Sequence, residues 1–550
     1  MKNMYKKAAI FLTLLFAAWS NVNGSGIPRL QKNANGAYQL IVNDKPFMMV
    51  SGELHNSSSS SAAYMAPLWP QLSSLNMNTV ISSISWEQFE PEEGVFDYSL
   101  VDYLISSARE HHLKLCFIWF ASWKNGQSSY LPLWVKRDTR RFFRVKTKEG
   151  KSIETVSPFC MEARKADAKA FAALMQRIKE VDQDQTVIMM QPENEVGLFQ
   201  DFDYSRQALE AYEKEVPSPL LKYLAANKRL LKEEVRSVWE AQGAKTKGSW
   251  KTVFGDNPQS KEFLMAWQYA TYINEVAAAG KAQYPLPMYV NAWLVQKPED
   301  LPGVYPNGGP VSRVMDIWKA AAPSIDVLAP DIYLPNFKEI VAQYHRSDNP
   351  LLIPESALDI GRAYYAFGEH GALCFAPFGI EGVAGDFVFS ESYAVLQRLM
   401  PLITENAGSK RMFGIWLYGE EKERKLTFDR YILHAKSERT PAYGIIIQTK
   451  TDEFIVAGMN FRITVSSTDS TKTGYIGQVW EGDYINGEWK PDRLLNGDET
   501  GSNKEMRSLG IKHKTNEEAN NMYADIFSPQ KYKSIVTPGI YKLLVYTREK

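Results

Sequence analysis

Short apolar runs and longer stretches of helical period alternate along the first four hundred residues. The runs are 47–52, 78–85, 113–121, 186–191, 287–293, 325–330, 351–354 and 372–378. They are continuously apolar rather than alternating, as expected of parallel strands covered on both faces. Between them, apolar residues recur at three- and four-residue steps. In 168–181 these are Phe171, Leu174, Met175, Ile178 and Val181, the stripe of an amphipathic helix. Segments 62–76, 99–110, 310–322, 337–346 and 389–403 read the same way. This repeated strand–helix unit predicts an α/β fold, a (β/α)8 barrel. Its two largest insertions, 122–162 and 197–270, follow strands and so fall on the face where barrel active sites form. A small hairpin around Tyr38–Val42 precedes the first barrel strand.

After residue 403 the pattern changes. Strand-like runs at 413–418, 443–448, 454–458, 461–465, 476–480 and 540–546 are separated by turns such as Asn486-Gly487. The expected organisation is a barrel over 26–403 and a smaller all-β sandwich over 404–550. The sandwich can brace the barrel, bind glycan or mediate dimers. Residues 1–25 read as a secretory leader: Lys2, Lys6 and Lys7, the apolar run 8–18, then small polar residues. That run is too short to cross a bilayer and no later segment is long and apolar enough, so an exported protein, periplasmic or secreted, is expected.

Composition narrows the chemistry. Lys plus Arg and Asp plus Glu both total 63, so no global charge points to nucleic acid or an anionic membrane. With 14 Trp and 28 Tyr, the chain is rich in flat rings of the kind that cover sugar C–H faces or fill cores. Three cysteines are too few for a disulfide framework. The seven histidines lack HxxEH or HxH spacing, so neither a metal nor another cofactor is expected.

Acids stand where two apolar runs end. The fourth continues as Gln191-Pro192-Glu193-Asn194-Glu195-Val196-Gly197, and the seventh as Pro354-Glu355-Ser356. A carboxylate at a buried strand end is costly without a partner or a function. Strands four and seven lie across a barrel from one another, so Glu195 and Glu355 can converge on one substrate atom. Glycoside hydrolysis needs such a pair, at about 5–5.5 Å separation for retention of configuration. A structural ion pair is the plainer reading of either acid alone.

Asn194-Glu195 with Glu355 resembles the clan of retaining glycosidases that includes β-galactosidases, β-mannanases and cellulases. Within it the chain resembles glycoside hydrolase family 35. The matching pieces are Gly52-Glu53-Leu54-His55, Asn78-Thr79-Val80, Trp86, Glu90-Pro91, Gly94-Val95-Phe96-Asp97, Leu131-Pro132-Leu133-Trp134 and Gln191–Gly197, spread over 45–360. The resemblance implies an exo-acting retaining β-galactosidase with a galactose-containing glycan as its partner. It implies Glu195 as acid/base, Glu355 as nucleophile, Asn194 as donor to the sugar 2-hydroxyl and Tyr333 as hydrogen-bond partner of Glu355. The same machinery on another β-glycoside or an α-L-arabinopyranoside, or a barrel that only binds glycan, are the alternatives.

Three positions depart from the family pattern. Ala121-Ser122-Trp123-Lys124 stands where the family typically has Ala-Glu-Trp, Ser83 where a Tyr is frequent, and Glu87 where Asn follows the Trp. Galactose recognition is then expected from Glu53, Glu87, Lys124, Asn291 or Trp293. Trp86, Trp119, Trp123 and Trp293, near strand ends, can stack on sugar or pack in the core. Glu53 and His55 can contact sugar or pair with each other.

Overall fold

A computed structural model describes residues 26–495, 497–508, 510–513 and 535–550. The leader expected at 1–25 lies outside the described residues. Eight parallel strands form one sheet: β1 Met49–Glu53, β2 Thr79–Ser85, β3 Lys114–Lys124, β4 Val187–Asn194, β5 Tyr289–Ala292, β6 Val327–Ile332, β7 Ile353–Ser356 and β8 Cys374–Pro377. Their order is β5-β6-β7-β8-β1-β2-β3-β4. The ring is completed by a parallel bridge between Met190 on β4 and Met288 just before β5. Each predicted run contains a barrel strand, with ends displaced by a few residues.

Side-chain direction follows from the pleat. On β3, Leu115, Phe117, Trp119, Ala121 and Trp123 pack in the layer between sheet and helices. Cys116, Ile118 and Phe120 belong to the barrel interior. Leu40 and Val42 join that interior cluster. They come from a three-stranded sheet, Arg29–Lys32, Tyr38–Val42 and Lys45–Phe47, which caps the end where the strands begin. The polar mouth is left at the opposite end. All three thiols are free and buried; Cys160 lies just before the helix Met161–Val181.

Among the described residues the C-terminal strands form three antiparallel sheets, of six, four and two strands. The strands Ala442–Lys450 and Glu453–Met459 of the six-stranded sheet are buried on both faces. Tyr443, Ile445, Ile447, Ile455 and Ala457 join the barrel's core, while Ile446, Phe454 and Val456 face the four-stranded sheet. Apolar residues on both faces of one sheet require two covers. Here the barrel is one of them. Among the described residues no helix is long and apolar enough to cross a membrane.

Candidate active site

Inward positions at the strand ends carry polar side chains: Glu53 on β1, Lys124 on β3, Gln191 on β4, Asn291 on β5, Asp331 on β6 and Glu355 on β7. Simple alternation would point Glu355 outward, because Leu352 faces the interior and Ile353 the helices. A bulge in the β7–β8 register intervenes: Ile353 pairs with Phe375, but Ser356 pairs with Pro377. The extra residue shifts the parity and turns Glu355 inward, opposite Asp331 in the β6–β7 register. The Tyr333 hydroxyl donates to Glu355 Oε1 at 2.6 Å.

Glu195 is placed by backbone conformation. Glu193, Glu195 and Gly197 have φ of 65°, 42° and 135°, left-handed values that cost a non-glycine residue about 1–3 kcal/mol. Gly197 is required there, since a Cβ would lie 2.6 Å from Pro306. Asn291 holds the turn. Its Oδ1 accepts from the Glu195 amide at 2.8 Å and from Gln191 Nε2 at 2.9 Å. Its Nδ2 donates to Asn194 Oδ1 at 3.0 Å and Asp331 Oδ2 at 2.7 Å. Both donors and both lone pairs of this amide are used, so Asn291 ties β4 to β6 instead of meeting sugar directly. Beneath the turn, Glu193 accepts from the amides of Ser122 and Trp123 at 3.1 and 2.8 Å, anchoring β3 to β4.

The cluster is electrostatically uneven. Burial, reinforced by the Glu355 charge, pushes Glu195 up to about 7. Glu355 is also raised by burial, but the Tyr333 hydrogen bond and the Lys124 ammonium oppose the rise. Glu53 and Asp331 are raised well above the usual carboxyl range by burial, with the Glu355 charge the next cause in both. The mouth therefore holds two unequal carboxyl groups: Glu355, whose rise a hydrogen bond and a cation oppose, and Glu195, pushed to about 7. Lys124 Nζ bonds Asn125 Oδ1 at 2.6 Å, and Asn125 Oδ1 also takes Asn194 Nδ2 at 3.1 Å.

Several expected sugar contacts fall elsewhere. Trp86, Trp119 and Trp123 are fully buried: the pleat of β3 sends Trp119 and Trp123 into the helical layer, and Trp86 opens the short helix Trp86–Phe89 that packs there. Trp123 donates to the Val156 carbonyl and packs edge-on against Tyr269 and Tyr272. Trp86 Nε1 donates to Glu90 Oε2 at 2.7 Å, and Glu90 Oε1 takes the Gly94 amide at 2.7 Å. Trp134 packs edge-on against Trp86 and donates to the Glu90 carbonyl. The pieces Trp86, Glu90, Gly94 and Trp134 thus build one rigid loop block. Glu87 pairs with Lys136 at 3.0 Å, and His55 with Glu381 at 3.0 Å rather than with Glu53. Trp293 keeps a partly exposed ring, edge-on to the exposed Phe199.

Sequence reasoning passed over Asp331 and Gln191. Asp331 obeys the rule that found Glu195 and Glu355, an acid closing an apolar strand. The apolar run 325–330 stops one residue short of it, and the strand reaches it only through pairing with β7.

Residues 39–268 match the family Glycosyl hydrolases family 35, and residues 389–507 match a domain of unknown function, DUF5597. Glu355 lies between the two matches. A comparison with curated proteins finds no match. Among solved structures, β-galactosidase from Bacillus circulans sp. alkalophilus is similar at 15% identity and TM-score 0.44, over 65% of this chain and 57% of that one. β-Galactosidase from Rahnella sp. R3 is similar at 14% identity and TM-score 0.44, over 66% and 57%. An exo-β-1,4-mannosidase from Opitutaceae bacterium strain TAV5 is similar at 14% identity and TM-score 0.38, over 63% and 54%. The chain thus spans little more than half the length of these proteins. The part of the chain similar to glycosyl hydrolases family 35, residues 39–268, runs from the cap beneath the barrel through β1–β4 and Glu195.

Proposed function

We infer that the chain is a glycoside hydrolase acting with retention, with Glu355 as nucleophile, Glu195 as acid/base and a terminal β-galactosyl unit as the group transferred. One observation carries the reading: two buried carboxyl groups share one mouth, one bonded by the Tyr333 hydroxyl with Lys124 also opposing its rise, the other raised to about 7. That division of labour is what double displacement requires. Glu355 attacks the anomeric carbon while Glu195 protonates the departing oxygen. Once the glycosyl ester forms, the Glu355 charge is gone. Glu195 then becomes more acidic and accepts a proton from the water that cleaves the ester. Asn194, whose Oδ1 is fixed by Gln191 and Asn291, keeps one Nδ2 proton for the sugar 2-hydroxyl. Trp293 and Phe199 form the aromatic wall against which the sugar lies.

The family match and the motif set support galactose. Lys124, where the resemblance leads one to expect a carboxylate, favours a second reading: the same machinery on another β-glycoside or an α-L-arabinopyranoside. The leader at 1–25 supports an exported enzyme, periplasmic or secreted. The test is mass-spectrometric mapping after reaction with an activated 2-deoxy-2-fluoro-galactoside, beside a panel of nitrophenyl glycosides. An adduct on the peptide bearing Glu355 is expected. Turnover of only non-galactosides would sink the galactose reading, and an adduct elsewhere would sink the nucleophile.

A further inference from the structure

Asp331 is 4% exposed and sits directly opposite Glu355 in the strand register. Its Oδ2 accepts from Asn291 Nδ2 at 2.7 Å. Its Oδ1, equally buried, receives no N–H or hydroxyl from any described side chain or amide. The amide of Asn291 that binds Asp331 also accepts from the Glu195 backbone N–H, and this brings the Glu195 carboxyl within hydrogen-bonding reach of Asp331. Two carboxyl groups can be joined in this way only if one of them carries a proton.

The surroundings decide which one. Asp331 faces Glu355, Glu195 and Glu53 across the mouth, with the hydroxyls of Tyr333 and Tyr344 beside it. The cation of the site, Lys124, acts on Glu53, Glu195 and Glu355. Glu381 stands behind Glu53. An unpaired charge on so buried a carboxyl, among three other acids, is the costliest arrangement open to the cluster.

We propose that Asp331 is a positioning residue for the acid/base: it keeps a proton on Oδ1 and donates it as a hydrogen bond to Glu195. This rests on Glu195 being the acid/base. In the first step the Glu195 proton passes to the glycosidic oxygen as its bond to the anomeric carbon breaks and the bond to Glu355 forms. The carboxylate left on Glu195 is held by the Asp331 hydroxyl. In the second step water bonds to the anomeric carbon, the ester to Glu355 breaks, and the water proton returns to Glu195. The Asp331 proton stays in place throughout. Asn291, bonded to Asp331 Oδ2 and to the Glu195 amide, keeps the two carboxyls in register.

The test compares Asp331→Asn with Asp331→Ala, reading the pH dependence of kcat/KM. The asparagine amide can still donate toward Glu195 and accept from Asn291, so its alkaline limb should stay at the wild-type position. Alanine removes the donor and should move that limb upward by roughly one to two pH units. A limb displaced downward in Asp331→Asn would show that Asp331 acts as a charge, and would overturn the proposal. So would an unmoved limb in a folded Asp331→Ala. Should the alanine variant not fold, infrared difference spectra at neutral pH between Glu195→Gln and Glu195→Gln/Asp331→Asn decide, since Glu195 then contributes no carboxyl band. Loss of one protonated-carboxyl stretch on adding Asp331→Asn is expected. A difference spectrum without that loss overturns the proposal. Separately, an alkaline limb that survives in Glu195→Gln would sink the acid/base assignment itself, while the infrared band still reports the Asp331 proton.

Discussion

The Tyr333 hydroxyl meets Glu355 Oε1 at 2.6 Å, joining the residue that follows β6 to the end of β7. A hydrogen bond to a carboxylate favours its charged form and fixes its direction. Tyr333→Phe removes both effects. Hydrogen bonds to charged groups contribute about 1.5–3 kcal/mol, so kcat/KM should fall roughly 10- to 100-fold. Because the bond lowers the Glu355 pKa, the acid limb of the pH profile should also move to higher pH. An unshifted limb would argue that the phenol does not act on Glu355.

The two catalytic assignments separate by leaving group. Glu355→Ala should lose turnover by a factor on the order of 10⁴ or more; added azide should restore some and yield the α-glycosyl azide. Glu195→Gln should slow substrates with poor leaving groups by about 10²- to 10⁴-fold, while activated aryl glycosides suffer less in the first step. Near wild-type rates in both variants would remove the assignment.

The pH profile should be bell-shaped. Activity needs Glu195 protonated, so it falls as pH rises through about 7. It needs Glu355 ionised, so it falls as pH drops through a value above the ordinary carboxyl range. Lys124 lowers both groups. Lys124→Met should therefore move both limbs to higher pH, read from kcat/KM on an aryl glycoside. Limbs that move apart, or down, would contradict this electrostatic picture.

Trp123 and Trp293 should behave differently although both stand near strand ends. Trp123 is wholly buried between sheet and helix, and Trp123→Ala should destabilise the fold by about 3–5 kcal/mol, seen as a lower melting temperature. Trp293→Ala should leave melting nearly unchanged and raise KM. The reverse pattern would place sugar on the wrong ring.

The barrel was legible because each strand is a continuous apolar run and each helix carries a three-four stripe. Both patterns survive in any environment that buries them. The carboxylates were legible as acids ending such runs, and Tyr333 through its place in the resemblance. Motif pieces misled where a family match was read as sugar contact. Trp86, Glu90 and Gly94 are kept together by hydrogen bonds to one another, a structural reason for their spacing.

Sequence alone determined the periods, hence the strands, the helices and the order in which acids reach the catalytic face. Which way each acid points was decided only in three dimensions. Glu355 faces the mouth because one extra residue in β7 breaks the strand's parity against β8, and a bulge is a property of two paired strands. Glu195 reaches it through a left-handed turn held by Asn291, ninety-six residues further along the chain. Local preference disfavours that turn, and only distant hydrogen bonds in the folded barrel can hold it.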